Sequence, residues 1–181
     1  MNDELGPLGP LVGTWIGDKG ADLSPSSSGP IETPYRETLT FSVVGCVTNA
    51  EKQELQVLRY LQQVHSLSSG EGIHDETGYW MWEAKTNRVM KSTAIPRGVV
   101  AVMEGTWDVN QNTQKIDLTL LSPENEAIVQ PTWMKEKAKT TSMTQQWALG
   151  PEGLSYNQLM ILEIYGKEFH HTDSNLLNLK T

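Results

Sequence analysis

Cysteine is almost missing from this chain. Cys46 is the only one in 181 residues, which excludes an internal disulfide, a cysteine-rich zinc site and a Cys-x-x-Cys-His haem attachment. A lone free cysteine is usually a small buried hydrophobe, and that is its expected place here. Positive charge is also short. Fourteen Lys and Arg stand against 22 Asp and Glu, a net charge of −8, and no basic stripe runs along the chain. A nucleic-acid partner is therefore not expected, because phosphate neutralisation needs clustered cations. No apolar run approaches the ~18 residues of a membrane span. The opening "MNDELGPLGPLVGTW" lacks the basic and apolar segments of a signal peptide. The expectation is a cytoplasmic protein. Its length suits one domain spanning residues 1–181, since domains usually run to roughly 100–200 residues.

Nucleophile motifs are missing too. There is no Gly-x-Ser-x-Gly and no phosphate-cradling glycine loop. The carboxylates are scattered. Taken alone, "HDE" at His74 to Glu76 reads as a hairpin rather than an acid–base pair.

Short alternating segments are what the chain does have. "ETLTFSVV" places Leu39, Phe41 and Val43 on one face and Thr38, Thr40 and Ser42 on the other. "GYWMWEA", "VMKSTAI", "GVVAVMEGTWDV", "KIDLTLL", "TSMTQQWAL" and "LSYNQLMILEIY" are similar runs rich in aromatic and β-branched residues. "IPRG", "DVNQNT", "LGPEG" and "YGKE" separate them as turns. "LQVLRYLQQVHSL" has helical propensity, but its strand neighbours and the turn "SSGEG" favour a strand with Leu58, Tyr60, Gln62 and Val64 on one face. Short helical turns are expected in "LGPLGPLVG", "TNAEKQE" and "PTWMKEKAK", the last with Pro131 near its start and lysines near its end. The Ser/Pro/Gly stretch at 21–34 reads as a mobile loop. No βαβ spacing occurs. The fold class is therefore all-β: a closed antiparallel up-and-down barrel of about ten strands, with two or three short helices. Such a barrel either fills with side chains or holds a small ligand.

Two features hint at a ligand. Trp outnumbers Phe six to two, and "GYWMW" sets Trp80 and Trp82 opposite Tyr79 and Met81, which suits either core packing or a pocket for a flat apolar molecule. Two of only four histidines, His170 and His171, are adjacent near the C-terminus. Neighbouring strand residues face opposite ways, so at most one looks inward. Phe169 shares a face with His171, which favours His171. A neutral imidazole in an apolar cavity is a good ligand for iron or another borderline metal.

The motifs "LVGTWIGDKG", "PYRETLTF", "LRYLQQV", "IHDETGYWMW", "IPRGVVAVMEGTWDV" and "LSYNQLMILEIYGKEFHH" occur in the order of the nitrobindin-like haem-binding β-barrel family, which this chain resembles. The opening signature departs from the usual Gly-x-Gly ending, since Asp18 and Lys19 precede Gly20. The resemblance implies a compact barrel of about ten strands. It would hold haem b non-covalently through a C-terminal histidine, with ferric iron that binds nitric oxide or isomerises peroxynitrite. It assigns the iron to His171 or His170. An ungapped count from Met160 lands on His170, whereas the ending Phe-x-His-Thr-Asp lands on His171, and His171 is the expected metal ligand. Ile73, His74 and Met160 match pocket positions, and Trp15 belongs to the signature strand at the barrel base. The expected partner is haem or another small hydrophobic ligand, and a homodimer is allowed. The competing reading is a carrier of a fatty acid or other flat apolar acid without iron chemistry. In that case Arg36, Arg59 or Arg97 would bind the carboxylate.

Overall fold

The two-residue period of the sequence becomes a ring of paired strands. The computed structural model describes residues 3–110, 113–119 and 127–181. Its strands are β1 (Gly13–Ser26), β2 (Gly29–Asn49), β3 (Gln53–Ser66), β4 (Gly72–Glu83), β5 (Arg88–Ile95), β6 (Val99–Asn110), β7 (Thr113–Thr119), β8 (Ile128–Val129), β9 (Lys139–Gly150), β10 (Gly153–Ile164) and β11 (Lys167–Leu179). Ten of them pair antiparallel in sequence order, β1 closes against β11, and the two-residue β8 only extends the edge of β6. The all-β barrel is as expected. The barrel is nearly closed, and among the described residues β7 pairs with β9 from Gln114↔Leu149 to Thr119↔Thr144. Near Thr140 the wall is stitched by a side chain. The buried Gln130 amide donates to the Thr140 carbonyl at 2.6 Å and accepts from its N–H at 3.0 Å, as a strand partner would.

Among the described residues, helix is confined to a 3-10 helix, Asp3–Leu11, and α1, Thr132–Ala138. The helix breaks at Gly6, which takes φ 51°. Beyond the break, three residues per 3-10 turn put Leu8 and Leu11 on one face, and both are buried with Leu5 as a plug in the barrel base. Above them pack Trp15, Phe41, Trp80, Trp107 and Trp147, with Trp80 and Trp147 edge-to-face at 5.3 Å. The Trp15 indole N–H donates to the Leu11 carbonyl at 2.8 Å, tying plug to wall.

Several local expectations change. Residues 21–34 are not a loop. They form the paired ends of β1 and β2, from Ala21↔Pro34 to Ser26↔Gly29, because backbone ladder bonds outweigh the turn propensity of Ser and Pro. "TNAEKQE" is not helical. It is a tight connection in which Ala50 and Glu51 take positive φ between β2 and β3. "HDE" lies within β4, in the arm of the hairpin that pairs with β3. Cys46 is exposed rather than buried, and so is Val43, where β2 slips register between Val43 and Gly45. "LQVLRYLQQVHSL" is a strand, with Leu58, Tyr60, Gln62 and Val64 buried along one face. The turn "DVNQNT" and the end of "KIDLTLL" fall partly outside the described residues. Among those residues, no helix is long and apolar enough to cross a membrane.

The position of Gly20 is dictated by packing. A Cβ there would meet the Tyr35 ring at 2.1 Å, and Tyr35 is fully buried. Gly20→Ala should destabilise the fold by about 1–3 kcal/mol through overpacking. Urea unfolding measures this, and an unchanged midpoint contradicts the packing described.

Candidate functional site

Above the aromatic base, the barrel opens into a cavity of about 400 Å³. Its apolar walls include Val64, Ile95, Val99, Met160, Leu162 and Ile164, and Met134 and Ala138 of α1 cover one side. Its polar lining is Asp22, Tyr35, His74, Arg97, His171 and Asp173, together with hydroxyl and amide side chains.

The C-terminal hairpin settles which histidine faces this space. Tyr165 and Gly166 form its turn with φ 54° and 72°, the paired positive angles of a two-residue turn that matches strand twist. The β10–β11 ladder then runs without a slip from Ile164↔Lys167 to Leu154↔Leu177, so Met160 lies opposite His171 and Leu162 opposite Phe169. His171 lines the cavity, with its side chain 16% exposed, whereas His170 is 59% exposed and pairs with Glu168 at 2.9 Å. Ile73, His74 and Met160 also line the cavity. Trp15 and His170 do not. Trp15 is packed in the base, and strand alternation turns His170 outward. Of the three arginines, only Arg97 reaches the cavity, where it donates to the Ile73 carbonyl at 3.2 Å. Arg36 and Arg59 are exposed on the outer face.

Beneath the cavity lies a buried polar layer absent from the candidate residues above. On one side the Lys91 ammonium sits 2.9 Å from Glu76, donates to the Gln145 side-chain carbonyl at 3.0 Å and lies over the Tyr60 ring. Tyr60 donates to Glu76 at 2.6 Å, and His74 Nε2 lies 3.5 Å from the same carboxylate. Burial pushes the Glu76 carboxyl up, but Lys91, with His74 and Tyr60, outweighs it and holds the group well below the usual carboxylate range. On the other side, the Glu37 carboxylate accepts from Gln62, Tyr156 and Asn175 at 2.9 Å each. Burial pushes Glu37 up to about 7 despite these donors. Tyr35 donates to Asp173 and shares a 2.8 Å hydrogen bond with Tyr156. Burial raises Asp173 as well. The signal for this layer was in the alternation. Glu37 is two residues before Leu39, and Glu76 lies between His74 and the inward Trp80. What hid it was the low prior for carboxylates inside a barrel.

A protein-family model described as "THAP4-like, heme-binding beta-barrel domain" matches residues 4–178. The chain belongs to this haem-binding β-barrel family. It is similar to Peroxynitrite isomerase 1 of Mycobacterium tuberculosis (strain ATCC 25618 / H37Rv), 29% identical over 164 residues and 88% of each chain. It is also similar to Peroxynitrite isomerase 2 of Mycobacterium ulcerans (strain Agy99), 30% identical over 118 residues and 65% of each chain. The crystal structure of Rv2717c from M. tuberculosis has the same fold, with a TM-score of 0.71 at 22% identity over 98% of this chain and 97% of that one. Haem is thus the ligand of the family to which this barrel belongs.

Glu37 yields a pH prediction. Its folded pKa of about 7 lies above the ordinary value of 4.5, so the folded state binds the proton more tightly. Its contribution is complete below about pH 4.5 and is lost as pH rises through 7. Between pH 5 and 7.5 stability should fall, and Glu37→Gln should flatten that slope. Urea midpoints across this range measure it. An equally steep fall in the variant assigns the slope to other groups.

Proposed function

We propose that this chain binds haem b non-covalently in the upper cavity, with His171 as the axial ligand of ferric iron, and that it reacts with nitric oxide or peroxynitrite. The observation that carries the reading is the register of β11, which turns one imidazole into an apolar cavity and its neighbour out of it. The residues suit the group. An imidazole can take haem iron, and Met160, Leu162 and Ile164 on β10 give His171 an apolar wall on one side. Covalent attachment has no support, because the single cysteine is exposed. Arg97 at the cavity suits the propionates, which a guanidinium binds through charge-assisted bonds.

When bound, ferric haem would supply an iron centre able to react with a small nitrogen-oxide ligand. The protein's own part is to hold and surround it. His171 would hold the iron. The apolar walls exclude bulk water, which strengthens electrostatic interactions inside the cavity. β4 lies four strands from β11 around the ten-strand ring, so His74 approaches from another quarter of the wall. Its side chain leans on the buried Glu76–Lys91 pair, which adds a polar ring on that side of the cavity. The carboxylate-carrier reading retains Arg97 alone, and no observation favours it over haem.

Haemin titration tests the reading. The wild-type protein should give a saturable Soret band at one equivalent. His171→Ala should weaken haemin binding tenfold or more, since the iron loses its protein ligand. His170→Ala should stay within about 0.5 kcal/mol, as for a solvent-facing side chain. If His170→Ala is the damaging change, the axial assignment is wrong. Haemin-loaded protein should also speed peroxynitrite decay to nitrate relative to free haemin, as followed by stopped-flow absorbance.

A further inference from the structure

Strand β1 carries one residue more than its neighbours. Gly17 pairs with Glu37 and Gly20 with Tyr35 on β2, a step of three against two. On the β11 side, Ile16 pairs with Asn178 and Ala21 with Ser174, a step of five against four. The extra residue is a bulge at Asp18 and Lys19, both exposed. Because side chains alternate, one inserted residue reverses the facing of everything beyond it. Trp15 and Gly17 are buried before the bulge, and Gly20 is buried after it. Asp22 therefore points into the cavity, where an unbulged strand would turn it outward.

Inside, Asp22 meets the side chain assigned above to iron. Its Oδ1 lies 2.6 Å from His171 Nε2, and the two side chains are only 19% and 16% exposed. Asp173, the Cα partner of Asp22 across the β1–β11 ladder, is engaged by Tyr35 and Tyr156. Among the described residues, Asp22 has no hydrogen-bonding side chain besides His171. A nitrogen that donates to a carboxylate has no lone pair to offer a metal. The Nε2 of His171 cannot both donate to Asp22 and bind iron.

We infer that Asp22 is a determinant of haem affinity in this chain: it holds Nε2 of His171 in the haem-free protein and has to release it before the ring takes iron. This rests on the haem reading above. The bulge is thus a local insertion with a distant consequence, because it sets a carboxylate in competition with the cofactor for one nitrogen.

Two measurements test it. In haem-free protein, ¹⁵N-resolved imidazole spectra should show His171 with its proton on Nε2 in a strong hydrogen bond. Asp22→Asn should alter the His171 signals and leave those of His65 and His170 in place. Haemin association should then be followed by quenching of tryptophan fluorescence. Asp22→Ala should bind haemin about tenfold more tightly or more quickly, the scale expected when one hydrogen bond to a charged group no longer competes. Asp75→Asn, which removes an exposed carboxylate away from His171, should match the wild type and so separate a general charge effect from the specific one. Weaker binding by Asp22→Ala, or the same gain in Asp75→Asn, overturns the inference, as does a His171 spectrum indifferent to Asp22→Asn. If wild type and Asp22→Ala bind haemin equally, this inference alone fails. If neither binds haemin, the haem reading fails with it.

Discussion

The buried ion pair between Lys91 and Glu76 is the constraint around which the barrel interior is arranged. A charge taken from water costs several kcal/mol unless it is paired and its remaining donors and acceptors are met. Here Lys91 and Glu76 are each almost wholly inaccessible, so their neighbours have little freedom. Tyr60 of β3 and Gln145 of β9 must be in register to complete the pair, and His74 and Thr93 join through Glu76 and Tyr60. A one-residue slip of any of these strands would leave an unpaired charge in the core. The pair thus selects one register among those that hydrophobic alternation alone would accept.

The same layer divides the interior by polarity. Below it, leucines and tryptophans pack without room for a ligand. Above it, the walls turn apolar again but leave space. A cavity over a polar floor differs from one over a greasy core, because the floor is held by directional bonds and resists collapse into the void. The Tyr35, Tyr156 and Glu37 cluster does for the β2, β10 and β11 side what Lys91 does for β4 and β5. Both clusters end at the cavity, one through Asp173 and the other through His74. The ligand site therefore inherits fixed polar groups from the core beneath it.

Much of this was legible in the residues. Strict alternation in "ETLTFSVV" and "LRYLQQV" predicts half-buried strands whatever their partners are, and the consecutive turns predict an antiparallel order. Phe169 favoured His171 over His170, because a period of two and one apolar neighbour bias the facing of a short strand, and the unslipped β10–β11 register then decided it. The ordered motifs by themselves carry the resemblance to a haem-binding family.

Other features depended on pairing across the ring. Nothing local to "GDKGADL" says that β1 carries an extra residue relative to both neighbours, since a bulge is defined only by the strands beside it. The inward turn of Asp22, and its meeting with a histidine 149 residues later in the chain, come from that pairing. Likewise the hairpin at 21–34 overrode its own turn-forming composition, and Trp15, though part of the signature, was carried into the base away from the cavity. The sequence by itself determined the strands and their alternation and favoured one of the two adjacent histidines, because these depend on neighbours one or two residues away. Only the tertiary structure decided which carboxylates share the interior with that histidine, because long-range strand register controls it.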